Sequence, residues 1–155
     1  MTPAEPESAT PAARPRRKAM AVDLGERRIG VAVSDSGGAL AFPLCVIDRG
    51  ANPAADRERL AAVAKEHEVT TVVVGLPLGL DGSTGPGAVL AAAEANELAR
   101  MLAPISVVTF DERFTTVSAA AAQRAAGKGA KAGRSTIDSA AAAVLLQAWL
   151  DAGHA

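Results

Sequence analysis

The sequence is short of the residue types on which several function classes depend. Among its 155 residues are one cysteine, no tyrosine, one tryptophan, three phenylalanines and two histidines. A single Cys45 excludes an internal disulfide framework and a cysteine-rich zinc site, and it suits a reducing compartment. Following Pro43 in an apolar run, Cys45 reads as a core residue. His67 falls at the end of an expected helix and His154 far from it, so no zinc pair is in view. Ser34, Ser135 and Thr136 have no nearby histidine to activate them as nucleophiles. No apolar run approaches the roughly 20 residues of a spanning helix. The basic cluster Arg14–Lys18 is not followed by a signal-peptide core, because Asp23 and Glu26 intervene. The expected location is therefore cytoplasmic. Four aromatics are too few for a base-stacking platform.

The formal net charge of −1 at first argues against a polyanionic partner as well. Its distribution reverses that inference. Residues 1–18 carry +2, residues 19–112 carry −6, and residues 135–155 carry −2. Between them, Arg113, Arg124, Lys128, Lys131 and Arg134 give +5 over 22 residues without one acid. Such a stretch is either a solvated basic face or a phosphate-contacting surface. The aromatic shortage directs the second reading towards backbone and shape rather than stacked bases.

Residues 1–17 are rich in Pro, Ala, Glu, Ser and Thr and read as a disordered tail; residues 18–152 read as one domain. Ala19–Leu24, Ile29–Ser34 and Ala39–Ile47 are apolar runs too close together for parallel crossovers, so they predict an antiparallel meander. Pro43 marks the third as an edge strand. Asn52 and Pro53 start a helix running to about His67. Thr70–Val74 predicts a strand, Ala88–Leu102 a helix stopped by Pro104, and Ile105–Phe110 another strand. Thr115 or Thr116 would cap a helix to about Ala126. Gly127–Gly133 reads as a flexible basic loop, and Ser135 or Thr136 as the cap of a last helix. The sum is an α/β fold: a five-stranded mixed sheet, flanked by helices, with the first strand central.

Three carboxylates converge on the carboxyl ends of the parallel strands, where ligand sites of such sheets lie. Asp23 ends strand one, Glu112 follows strand five, and Asp138 falls in the expected first turn of the last helix. Each has an ordinary alternative. Asp23 could pair with Arg27 or Arg28, Glu112 could be plain surface, and Asp138 could serve the helix dipole. Together, three carboxylates would repel one another without cations. Mg²⁺ or Mn²⁺ suits such an all-oxygen site, and two such ions can activate water and stabilise the leaving oxygen in phosphodiester cleavage. Two bound ions would also take the net charge from −1 to about +3. The loop Gly75–Gly87 lacks the Lys-Ser or Lys-Thr of a P-loop.

Four segments carry a resemblance to a known family: Ala21-Val-Asp-Leu-Gly-Glu-Arg-Arg-Ile-Gly-Val-Ala-Val-Ser-Asp35, Val74-Gly-Leu-Pro-Leu78 with Asp81-Gly-Ser-Thr-Gly-Pro86, Asp111-Glu-Arg-Phe-Thr-Thr116, and Ile137-Asp-Ser-Ala-Ala-Ala142. The chain resembles the YqgF/RuvX family over residues 18–151. The resemblance implies an RNase H-like fold. It also implies metal-dependent nuclease action on the precursor of small-subunit ribosomal RNA, on Holliday junctions, or on both, with its acidic positions on Asp23, Glu112 and Asp138. Two departures stand out: Leu78-Gly-Leu80 replaces a segment in which many relatives carry a polar Asn, and the basic segment before Asp138 is diluted by Ala and Gly.

Two other readings use the same features. A non-catalytic nucleic-acid or ribosome-associated module would need the basic stretch but not the acids. A sugar-kinase-like ATPase would need a second domain that this length does not supply. The alanine-rich helices expected at 88–102 and 116–126 offer smooth surfaces for a homodimer, matching the two symmetric cut sites of a four-way junction.

Overall fold

The computed structural model describes residues 17–115 and 131–154. Its first three strands, β1 (Ala19–Leu24), β2 (Arg28–Ser34) and β3 (Ala41–Asp48), form the expected antiparallel meander. A tight turn links β1 to β2, with the Gly25 N–H donating to the Arg28 carbonyl at 2.9 Å. Strands β4 (Thr71–Leu76) and β5 (Ser106–Asp111) then add in parallel on the other side of β1. The order is β3-β2-β1-β4-β5, with β1 at the centre. Pro43 lies on edge strand β3, opposite Ala32 and beside a register irregularity at Val31/Ala32. Proline donates nothing to a ladder, so the edge is where it is tolerated.

Helices cover both faces. On one side, α1 (Pro53–Glu66) and α2 (Pro86–Leu102) pack Leu60, Ala64, Ala91, Ala95 and Leu98 against Met20, Val22, Ile29, Val31, Val72 and Val74. On the other, α3 (Lys131–Trp149) packs Ala142, Leu145, Leu146 and Trp149 against Ala19, Ala21, Ala32 and Val73. The alternation along β1 is the two-residue period of a strand. The small side chains on the α3 side let that helix lie close to the sheet, and it is tied to the edge strand by Gln147. The Gln147 side chain accepts from the Ala41 N–H at 2.9 Å and donates to the Ala39 carbonyl at 3.0 Å.

Local chemistry explains most boundary differences. Strand β3 begins at Ala41 rather than Ala39 because the Asp35 carboxylate takes the N–H groups of Ala39 and Leu40 at 2.7 and 3.1 Å. Asn52 caps α1 as expected, accepting from the Ala54 N–H, with Pro53 in the first turn. Helix α2 begins at Pro86 behind Gly85, two residues before Ala88, since proline is preorganised for a first turn. Cys45 is half-buried against the α1–α2 core.

The last helix departs from expectation. It begins at Lys131, so the expected loop does not extend to Gly133, and Ser135 and Thr136 stand inside the helix rather than capping it. Lys, Ala and Arg are good helix formers, and one glycine costs only about 1 kcal/mol in a helix. The expected helix from Thr115 or Thr116 to Ala126 lies, beyond Thr115, outside the described residues, as does the loop up to Ala130. Thr115 itself follows a single 3-10 turn, Glu112–Phe114.

Candidate active site

The α3 side of the sheet collects the three acids at one end. Asp23 follows Ala19 and Ala21 in the phase that faces α3, and it pairs across β1–β2 with Gly30. On the other flank Val22 pairs with Val74, which brings Gly75 level with Asp23. Val108 and Phe110 of β5 pack on the same side, and Glu112 follows at the end of that strand. Asp138 reaches this end from α3.

Two glycines make the arrangement fit. A β-carbon on Gly75 would fall closer than 3.0 Å to the Glu112 oxygen Oε2, and would also press on Leu145. A β-carbon on Gly30 would fall closer than 3.0 Å to the backbone carbonyl of Asp138. The two strand positions flanking Asp23 are therefore bare so that Glu112 and α3 can close over them. Glycine inside a strand otherwise weakens it, and close approach of another group is the usual reason to find it there.

Asp138 is buried, with 7% of the residue exposed. It lies in the eighth position of α3 rather than the first turn, so capping and the helix dipole do not account for it. Its partner is Arg28, whose Nε donates to Oδ2 at 2.5 Å. That hydrogen bond, with the charge of Asp138, raises the guanidinium pKa above its ordinary value. Among the described residues, no three carboxylate, imidazole or thiol groups stand close enough to hold one ion in common. The donor atoms that Asp23, Glu112 and Asp138 offer are all carboxylate oxygens, the kind that hard divalent cations take.

The basic residues divide. The Arg113 guanidinium is held by Asp111, from Nε at 2.9 and 3.1 Å and from Nη2 at 2.6 Å, and its Nη1 donates to the Leu80 carbonyl at 3.3 Å. The Asp111 carboxylate is thereby held below its ordinary pKa, chiefly by the Arg113 hydrogen bond. Arg113 thus ties the glycine-rich loop after β4 to the strand end that bears Glu112. Arg124 and Lys128 lie outside the described residues, and so do the side chains of Lys131 and Arg134.

Sequence reasoning passed over Gly30, Gly75 and the Arg28–Asp138 pair. An isolated glycine within each apolar strand was the signal for the first two. The local sequence offers Arg28 only Asp23 as a partner, because the fold's long-range pairing with α3 is not visible locally. A cavity of about 500 Å³ opens on the α1–α2 side between Arg27, Arg49, Asp56 and Glu94. Of its three acids, Glu26, Asp56 and Glu94, the last two are paired with Arg59 and Arg57, and it lies on the opposite face of the sheet from Asp23, Glu112 and Asp138.

A central strand paired antiparallel on one side and parallel on the other, with acids at its end, is the arrangement of RNase H-like proteins. In agreement, solved structures of RuvC share the fold. The Thermus thermophilus RuvC bound to a Holliday junction substrate aligns with TM-score 0.55 and 16% identity, over 90% of this chain and 98% of that one. A second Thermus thermophilus RuvC structure aligns with TM-score 0.51. The family model described as "RuvX: Holliday junction resolvase" matches residues 17–152. A Streptomyces avermitilis protein named "Putative pre-16S rRNA nuclease" is 48% identical over 136 residues, 88% of this chain and 86% of its own length. A Rhodococcus opacus protein of the same name is 44% identical over 140 residues, 88% of this chain and 78% of its own length. The chain belongs to the RuvX family, a family of nucleases.

Proposed function

We propose that this protein is a divalent-metal-dependent nuclease that hydrolyses phosphodiester bonds in structured nucleic acid, with precursor 16S ribosomal RNA as its main substrate. The observation that carries the reading is the shared end of one sheet face, where Asp23 stands between Gly75, against which the Glu112 carboxylate packs, and Gly30, against which the Asp138 backbone packs.

Asp23, Glu112 and Asp138 would hold Mg²⁺ or Mn²⁺, which when bound supplies an activated water and neutralises charge on the phosphate being cut. Asp23 is fixed by its ladder partner Gly30 on β2, one residue beyond the Val22–Val74 pair with β4. Glu112 is set by the 3-10 turn that follows β5. Asp138 arrives on a helix anchored by Leu145, Leu146 and Trp149 in the sheet. Rigid strand and helix mounting suits a site that must hold its oxygens in place before substrate arrives.

Arg124, Lys128, Lys131 and Arg134 would contact the phosphate backbone, which accounts for a +5 stretch in an otherwise acidic chain. Arg113 contributes to that surface only through the face left exposed by its pairing with Asp111. Residues 18–152 would act as one nuclease domain behind the tail 1–17, in the cytoplasm. No helix among the described residues is long and apolar enough to cross a membrane. A homodimer would place two such sites on a four-way junction.

The test is a cleavage assay with Mg²⁺ and with Mn²⁺ on precursor 16S RNA, single-stranded RNA and a Holliday junction side by side. Metal-dependent cutting of the precursor RNA in preference to the single strand supports the reading. Binding without cutting of any substrate would instead identify a non-catalytic ribosome-associated module.

A further inference from the structure

The cavity on the α1–α2 side opens at the same end of the sheet as Asp23. There β1 stops, β2 starts opposite the last residue of β3, and α1 begins. Two of its acids are already engaged. Asp56 accepts from the Gly50 N–H at 3.1 Å and from Arg59 at 2.5 Å. Glu94 takes the Arg57 guanidinium through both oxygens at 3.0–3.3 Å. Arg27 and Arg49 line the same cavity, and among the described residues neither stands in an ion pair. The one further acid they face is Glu26, so the two guanidinia outnumber it. The backbone sets the two arginines side by side, with the Arg49 N–H donating to the Arg27 carbonyl at 2.8 Å. Leu60, Leu90 and Pro53 give the cavity an apolar wall, and Leu90 is 66% exposed. Paired guanidinia suit a phosphate, and the wall suits an uncharged body attached to it. A volume of about 500 Å³ falls within the range of small-ligand sites. Arg27 adjoins Arg28, whose side chain reaches Asp138 on the other face of the sheet. One tight turn thus presents a cation to each face.

We propose that this cavity is a nucleotide subsite. It takes one nucleotide of the substrate strand outside the cleaved bond. The phosphate lies between Arg27 and Arg49, and the sugar and base lie against Leu60, Leu90 and Pro53. The strand reaches it from Asp23 over the turn between β1 and β2. Resting on the nuclease reading above, this gives the protein a hold on its substrate separate from the basic stretch 113–134.

Amide NMR titration of the full chain tests this with three probes: inorganic phosphate, uridine 5′-monophosphate and an RNA hairpin with single-stranded ends. The mononucleotide should shift the amides of Arg27, Arg49, Gly50 and Leu90 and bind more tightly than phosphate. The hairpin should shift the same amides and displace the mononucleotide. Arg27→Gln and Arg49→Gln should each weaken hairpin binding roughly tenfold, the range for a hydrogen bond to a charged group. Arg100→Gln, which removes an equal charge at the far end of α2, should leave it nearly unchanged. Amides unmoved by mononucleotide and hairpin overturn the site, and this wild-type result stands whether or not the variants fold. Mononucleotide binding that the hairpin does not displace makes the cavity a site for free nucleotide and overturns the substrate subsite. Phosphate bound as tightly as the mononucleotide overturns the part given to the apolar wall. Equal losses in all three variants reduce the effect to overall charge and overturn the proposal. Binding at these amides without cleavage of any substrate counts against the nuclease reading and leaves the nucleotide site standing.

Discussion

The Glu112 carboxylate fills the space that a side chain at Gly75 would occupy. A β-carbon there would meet Oε2 at less than 3.0 Å, with Leu145 pressing from the helix side. The two residues are 37 positions apart in the chain, on parallel strand β4 and just beyond β5. One residue's lack of a side chain thus fixes where the other's functional group can lie.

Gly75→Ala should therefore impair the site more than the fold. Glu112 is a long side chain and can swing aside, so the stability loss should be modest, about 1 kcal/mol. A displacement of about 1 Å at reacting groups can cost about 10²-fold in rate, and that is the expected fall in cleavage. Gly87→Ala is the counterpart. Its β-carbon would sit at an ordinary 3.5 Å from Pro77 in an exposed helical turn, and it should raise stability by up to about 1 kcal/mol. Denaturant melts of both variants check the pair of signs.

Gly30→Ala should be worse for the fold. There the obstacle is the backbone carbonyl of Asp138, which can yield only if α3 shifts off the sheet. We expect a loss of at least about 2 kcal/mol, in the overpacking range, measurable as a lower denaturation midpoint at unchanged slope.

Gln147 should matter beyond its own helix. Gln147→Ala removes both bonds to the start of β3, leaving the Ala41 N–H without its partner. A cost of about 1–3 kcal/mol is expected. Amide exchange at Ala41 should quicken relative to residues of central strand β1.

Asp56 should tie stability to acid pH. The Gly50 N–H, then the Arg59 guanidinium, hold its carboxyl below the ordinary value. A depressed folded-state pKa contributes stability that is present above the unfolded value of about 3.9 and is lost as pH falls through the folded one. Asp56→Asn should therefore melt lower than wild type at pH 7, and the gap should narrow below about pH 4. A gap that widens in acid would contradict a lowered Asp56 pKa in the folded protein.

Much of this architecture was legible from residue order. Close spacing of three apolar runs dictated the meander, Pro43 marked the edge, and Asn52-Pro53 fixed the start of α1. Asp23 stood out because an apolar strand has no need of a carboxylate. The start of α3 was not legible, because Ser135 and Thr136 are good caps in isolation but stand within a helix that Lys131, Ala132 and Arg134 extend upstream. Nor was the pairing of Arg28 with Asp138, 110 residues apart, since it depends on how closely α3 settles on a sheet face of alanine and glycine. The role of Gly30 and Gly75 shares that origin.

The central claim is that Asp23, Glu112 and Asp138 form one metal-dependent hydrolytic centre. It is tested most directly by the metal-dependent cleavage rate of Asp23→Asn, purified and shown by its melting profile to be folded. The substitution keeps the size of the side chain and removes its charge from the middle of the site. Loss of cleavage by at least about 10³-fold, with nucleic-acid binding retained, is the result this account predicts. Cleavage by folded Asp23→Asn at the wild-type rate would contradict it.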